Sequence, residues 1–281
     1  MAPRISICEF TTLTASFEED LAAYAAAGVG GIGVCEVKLP ADGAARLRRS
    51  GLAATHCIPA VPSILPLPPM PGPETPAERV EALCAGIRRL AELGPECCVF
   101  LTGPAGSLGP AEARRVVLDA IPVVAEAARA AGVRAALEPV HPSQAAVFSF
   151  VDSLGAARAL LDEAGADDVG LLVDTWHVWD DPGLEAELRA SAARIAGVHL
   201  ADRREPTRSH FDRVLPGEGV APLRSIVRSL EACGYEGWYD VEIFSDNGAF
   251  GEDFADSLWD VPAAELARRA RESALRLWGP G

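Results

Sequence analysis

The sequence is short of positive charge. Lys and Arg number 25 against 40 Asp and Glu, a formal net charge of −15. A surface this acidic repels phosphate backbones and anionic lipid head groups, and no local basic groove is apparent, so neither nucleic acid nor membrane is an expected partner. No apolar run approaches the length needed to span a bilayer. The opening MAPRISICEF enters a strand-like run directly and lacks the hydrophobic core of a signal peptide. The seven cysteines include no Cys-x-x-Cys pair, and Cys8, Cys35, Cys57, Cys97 and Cys98 lie in apolar, strand-like stretches. The expectation is reduced, buried thiols in a cytoplasmic protein. No Gly-x-Gly-x-x-Gly follows the first strand-like run, which counts against an open, doubly wound nucleotide-binding sheet. There is no domain-sized linker and no low-complexity segment.

What remains is a regular alternation. Short apolar runs, beginning ISICEFTTL, GIGVCEVKL and LAATHCIPAV, alternate with Ala-, Leu- and Arg-rich helical stretches. SFEEDLAAYAAAG carries a Ser start and a Gly stop. Further strands are expected in ECCVFLTG, VRAALEPVHP, VGLLVDTWHVW, AGVHLADRR and GWYDVEIFSD. Strands that alternate with helices imply a parallel sheet. Eight such units in 281 residues, 49% hydrophobic, predict an α/β fold: one (β/α)8 TIM barrel over residues 1–281. The Pro-rich stretch 59–76 fits neither helix nor central strand. It reads as a lid, a static rim or an oligomer contact.

Active sites in such barrels sit at the C-terminal ends of the strands. The fifth expected strand ends at Glu138, the sixth at Asp174 and His177, the seventh at His199 and Asp202, and the eighth at Glu242. Each alone has an ordinary explanation: a solvated strand end, a helix cap at Asp174, a hydrogen-bonded core histidine at His199, an arginine partner for Glu242. Together they converge on one barrel mouth, where buried charges need a partner. One divalent cation would satisfy Glu138, Asp174, His199 and Glu242 at once. Three carboxylates and one imidazole suit Mn²⁺ or Mg²⁺ best, with Co²⁺ and Zn²⁺ compatible.

The run ALEP, VDTWH, GVHLAD, DRVLPGEG and YDVEIF resembles the sugar phosphate isomerase/epimerase group of xylose isomerase-like TIM barrels over nearly the whole chain. The resemblance implies one metal held by Glu138, Asp174, His199 and Glu242, with His177 and Arg213 binding substrate. It extends to inosose dehydratase-like members and to metal-dependent subunits that eliminate C-glycosides. Long segments after His199 (RREPTRSHF) and Glu242 (FSDNGAFGEDFADSLWD) depart from compact epimerases and would remodel the rim.

The implied chemistry is proton transfer next to a carbonyl, with Glu138 and Glu242 as acid and base. Two bases on opposite faces invert a stereocentre, one base moving a proton between carbons isomerises, and a leaving group β to the carbonyl turns the same enolate into a lyase intermediate. A sugar or sugar-like ketone isomerase or epimerase is the first reading, and a lyase the second. Trp176 and Trp179 offer stacking faces for a sugar or ordinary packing. His141 and His56 are further candidates at the rim. A DNA-repair endonuclease on this barrel would need a three-metal site and a basic face, which five histidines and this charge do not favour. A non-catalytic binding protein and self-association into a homo-oligomer are left open.

Overall fold

The computed structural model describes residues 2–279. Its strands are β1 (Arg4–Cys8), β2 (Gly31–Gly33), β3 (Ala53–Ala54), β4 (His56–Cys57), β5 (Cys97–Phe100), β6 (Ala135–Leu137), β7 (Gly170–Asp174), β8 (Ile195–Leu200), β9 (Asp202–Arg203), β10 (Arg213–Val214) and β11 (Trp238–Val241). Nine form one parallel sheet in the order β3-β2-β1-β11-β8-β7-β6-β5-β4. β3 pairs with β2, and β4 pairs with β5. Only Thr55 separates β3 from β4, so the two ends of the sheet are consecutive in the chain and the sheet closes into a barrel. β3 and β4 are thus halves of the third expected strand. The fifth to eighth expected strands are β6, β7, β8 and β11. β9 and β10 form a small antiparallel hairpin outside the barrel.

The helices on the outside are α1 (Phe17–Ala27), α2 (Gly43–Ser50), α3 (Pro76–Ala91), α4 (Pro110–Ala130), α5 (Leu154–Glu163), α7 (Leu184–Ser191), α8 (Leu223–Ala232) and α9 (Ala263–Leu275). A one-turn α6 (Thr175–Val178) is inserted directly after β7. The start and stop signals of α1 act as expected: Ser16 and Glu19 form a reciprocal capping box, and Gly28 ends the helix in the left-handed region at φ 75°. One apolar core lies between sheet and helices. A second apolar cluster, which includes Phe10, Phe211, Phe244 and Trp259, fills the mouth of the barrel.

Strands are shorter than the apolar runs that predict them. GIGVCEVKL supplies only Gly31–Gly33 as a regular strand before a 3₁₀ turn at Glu36–Lys38, with Cys35 still bridged to Ile58 between them. The Pro-rich stretch packs along the rim, tied to α3 and to the residues after β5. Arg79 of α3 is buried and donates to Ser63 O (3.2 Å), Ser63 Oγ (2.8 Å) and Pro73 O (3.0 Å). Leu65 N donates to Thr102 O (2.8 Å), and Leu101 N to Pro62 O (2.7 Å). All seven cysteines are free thiols, and all but Cys233 are buried. Among the described residues no helix is long and apolar enough to cross a membrane.

Candidate active site

Four strands deliver the expected set to one place. Glu138 follows β6 and Glu242 follows β11, while Asp174 closes β7 and His199 lies near the end of β8. Asp174 and His199 face each other in register across β7 and β8. Each of the four side chains offers one ligand atom, and these atoms all lie within 4.8 Å of one another. All four residues are buried.

Asp174 combines the two roles its sequence position allows. Its Oδ1 accepts the Trp176 amide (2.8 Å) and caps α6, while Oδ2 accepts Arg213 Nη1 (2.7 Å). The same Nη1 donates to Glu242 Oε2 (2.9 Å), so one buried guanidinium ties two of the acids together. β10 places Arg213 there, and its backbone N–H donates to Phe244 O (2.8 Å). Glu242 Oε1 also receives the Cys8 thiol at 3.6 Å.

The electrostatics follow from burial and proximity. Burial, with the charges of Asp174 and Glu242, pushes the Glu138 carboxyl well above its usual range. Burial would raise Glu242 too, but His199 and Arg213 outweigh it and hold its pKa at about 2. Burial would discharge the His199 ring, yet Glu242, Glu138 and Asp240 push its pKa up to about 10. With the ligands deprotonated, as metal binding requires, three carboxylates and one guanidinium leave an excess of two negative charges. His199 Nδ1 and Nε2 are buried, Nδ1 faces Glu242 Oε2 at 3.4 Å, and neither nitrogen makes a well-formed hydrogen bond. A divalent cation supplies the charge and the acceptor of nitrogen lone pairs that this set lacks, so the residues fit one.

His177 stands beside them, 4.0 Å from Glu138 Oε1 and 3.9 Å from Asp174 Oδ2. The His141 amide donates to His177 Nδ1 at 3.1 Å. Burial, against the pull of Asp174, lowers its pKa to about 3, so the ring is neutral. Arg213 Nη2, which can only donate, lies 3.4 Å from Nε2, so each nitrogen of the neutral ring faces an N–H group.

Glu138, His177, Arg213 and Glu242 line a cavity of about 50 Å³ at the mouth of the barrel. Its other walls come above all from Phe10, Phe148, Phe211 and Phe244, the last two from the long segments after His199 and Glu242. The long segments after β8 and β11 meet over it. Phe211 stacks on Phe250 with centroids 4.2 Å apart, and Arg204 and Arg208 each bridge Asp212 to Asp256. His210, which the sequence left without a role, also lines the cavity, its Nδ1 2.5 Å from Gln144 Oε1.

The rim position of His56 is corrected, the tryptophans take the packing alternative, and the other candidates fall as follows. Trp176 is fully buried and does not line the cavity. The guanidinium groups of Arg203 and Arg213 lie over its ring at 4.7 and 5.4 Å, so its face is taken by cations rather than open to a sugar. Trp179 is likewise covered by Arg203, at 5.5 Å. His56 is not on the rim. It is fully buried inside the barrel, its ring centroid 5.4 Å from that of His199 and its Nδ1 3.9 Å from Asp240 Oδ2. His141 stays near the surface, bonded to Ser143 and Asp180, and acts on the site through its backbone. Asp202 turns away to accept the amides of Gly217 (2.9 Å) and Ala221 (3.0 Å), fixing the PGEG loop.

The layer with His56 was not foreseen. Asp240, fully buried, accepts Thr55 Oγ1 at 3.1 Å, and burial pushes its pKa up to about 7 against the pull of His199. A Cβ on Gly33 would lie 2.2 Å from Asp240 Oδ2, so glycine is what leaves this carboxylate room. His56, His199 and Asp240 form a second group with ligand spacing. The alternation of inward residues along β11, Asp240 then Glu242, is the signal that could have found it.

Comparison with known proteins agrees with this architecture. Protein SMc04130 from Sinorhizobium meliloti 1021 superposes with a TM-score of 0.83 at 31% identity, covering 97% of this chain and 98% of that one. An inosose isomerase from Halalkalibacterium halodurans is 28% identical over 137 residues, 47% of either chain. An inosose dehydratase from Klebsiella pneumoniae subsp. pneumoniae is 34% identical over 106 residues, 31% of this chain and 34% of that protein. The matches thus span about half and about a third of those two relatives. A family model described as "Xylose isomerase-like TIM barrel" matches residues 21–276. With nearly its whole length matched, the chain belongs to the xylose isomerase-like TIM-barrel family.

Proposed function

We propose that this protein is a divalent-metal-dependent isomerase or epimerase of a sugar or sugar-like hydroxyketone. The observation that carries the reading is the convergence of Glu138, Asp174, His199 and Glu242, with ligand atoms within 4.8 Å, at the floor of a cavity that Glu138 and Glu242 also line. Those four side chains would hold the cation. When bound, a divalent cation supplies Lewis acidity toward a carbonyl oxygen and offsets the negative charge that develops on deprotonation.

The chain's own groups supply the rest. Glu138 and Glu242 come from strands separated by β7 and β8, so a substrate between them meets a carboxyl group from each side. Either can take a proton from the carbon next to the carbonyl, and the other can return one. The neutral His177 ring lines the cavity and is placed to hydrogen-bond a substrate hydroxyl. Arg213 holds Asp174 and Glu242 in place and leaves its remaining N–H groups for the substrate. The Phe211–Phe250 stack and the arginine ties above it limit water at the mouth.

The likeness to an inosose dehydratase favours a second reading, a lyase that uses the same proton abstraction and then loses a β-leaving group. Incubation of the metal-loaded protein with ketoses and keto-polyols in D₂O tests both. Deuterium at the carbon next to the carbonyl, with no other mass change, supports the isomerase or epimerase. A product lighter by water or a larger fragment reverses the order. No exchange and no conversion over the panel contradicts both readings.

A further inference from the structure

The cavity is unusually apolar for one whose substrate would be a free sugar. Of the 16 residues that line it, only Glu138, His177, His210, Arg213 and Glu242 are charged or polar, and four of these five belong to the floor. His210 at the rim is already paired through Nδ1 with Gln144. The walls are aromatic and aliphatic. Phe10 and Phe244 sit with centroids 4.8 Å apart, Phe211 and Phe244 5.6 Å, and Phe148 and Phe211 5.7 Å.

Backbone groups of the wall do not make up the difference. Val140 N is bonded to Val151 O (3.0 Å) and Leu101 N to Pro62 O (2.7 Å). Phe211 O accepts Asp246 N (3.0 Å), and Phe244 O accepts Arg213 N (2.8 Å). A ketohexose bound by its hydroxy-carbonyl end at the floor would lay its remaining hydroxyls against these walls. Each would lose water and gain no partner, which is a net loss of affinity. A flat apolar group in the same place gains burial and edge-to-face contact with the phenylalanine rings.

We infer that the substrate is a hydroxyketone with two ends: a polar head read by Glu138, His177, Arg213 and Glu242, and a ring-sized apolar substituent held by Phe10, Phe148, Phe211 and Phe244. The inference rests on the proposed function for the head and on the cavity wall for the tail. The wall is braced on two sides, by hydrogen bonds of Arg79 to the Pro-rich segment and by the stacked Phe211 and Phe250.

Binding of three hydroxyketones to the metal-loaded protein tests it by calorimetry. Hydroxyacetone and 2-hydroxyacetophenone share a head and differ as methyl against phenyl, and D-fructose is the all-polar case. The phenyl ketone is expected to bind at least about tenfold more tightly than either of the others. Phe148→Ser, at a half-buried position, should cut that advantage to below about threefold while hydroxyacetone affinity stays the same. Phe244→Ser should do so more strongly. D-fructose binding as well as the phenyl ketone overturns the inference, as does no binding of the phenyl ketone or an equal loss for both ketones in Phe148→Ser. Deuterium exchange in the same samples separates the two claims. Exchange without phenyl preference sinks the inference and leaves the reaction class. Phenyl preference without exchange on any probe keeps the pocket and sinks the reaction class.

Discussion

Replacing Arg213 with methionine isolates the charge logic of the site. The guanidinium is buried, and its Nη1 holds Asp174 at 2.7 Å and Glu242 at 2.9 Å. Burial would lower its pKa, but Asp174, Glu242 and Glu138 outweigh it and keep the group charged. Arg213→Met keeps an unbranched chain and removes the cation, leaving three buried acids together. Breaking a buried pair in this way costs about 3–5 kcal/mol. An unfolding entropy of about 2.1 cal/mol/K per residue gives roughly 0.6 kcal/mol/K for 281 residues. The melting temperature of the chelator-treated variant should therefore fall by about 5–8 °C. A divalent cation meets one more net negative charge in the variant, so saturating Mn²⁺ should raise its melting temperature more than it raises that of the wild type. Turnover should fall while metal binding is kept or strengthened. Scanning calorimetry with chelator and with Mn²⁺ measures both temperatures. A metal-free melting temperature within about 2 °C of wild type would refute the pairing. A full drop that Mn²⁺ does not reverse would refute the claim that these acids share one cation.

Metal uptake should release protons, because the metal-free site holds them: Glu138 is raised well above the usual carboxyl range and His199 is near 10. Ligands bind deprotonated, so apparent affinity should rise with pH from 6 toward 9 and fall as pH drops. Calorimetry at pH 7.5 in buffers of different ionisation enthalpy reads the release, and no buffer dependence contradicts it. His177, near 3, stays neutral through the working range. The pH–rate profile should therefore show no step that His177→Gln removes, and a step near 6.5 lost in that variant would count against a neutral His177. Gly33→Ala should cost about 1–3 kcal/mol by pressing a methyl into Asp240 and the Cys8 backbone. Thermal unfolding checks this, since the new Cβ would lie 2.2 Å from Asp240 Oδ2 and 3.1 Å from Cys8 Cα.

The barrel and its four acidic or imidazole strand ends were legible because each charge follows an apolar run, and a charge in that position needs a common partner. Strand lengths were not, because residues such as Cys35 and Ile58 pair only through an isolated parallel bridge beyond the regular strands yet stay buried at the mouth. The one-turn α6 escaped notice because it is held by a side-chain cap from Asp174, a residue whose sequence signal reads equally as a ligand. That turn swings Trp176 into the interior, which composition alone cannot show. His56 was placed at the rim because its strand is split at Thr55, and the sequence does not reveal which side of the split faces inward. The aromatic wall was missed because Phe10, Phe148, Phe211 and Phe244 come from four distant loops. Only their shared position just beyond strands or at the barrel mouth links them.

The most direct test of the central claim is metal stoichiometry by elemental analysis after dialysis against Mn²⁺, for wild type and for Glu138→Gln, Asp174→Asn, His199→Asn and Glu242→Gln. With the four ligand atoms within 4.8 Å of one another, wild type should retain one equivalent and each variant clearly less. Full occupancy in all four variants, or none in the wild type, would contradict a single cation held by these strand ends.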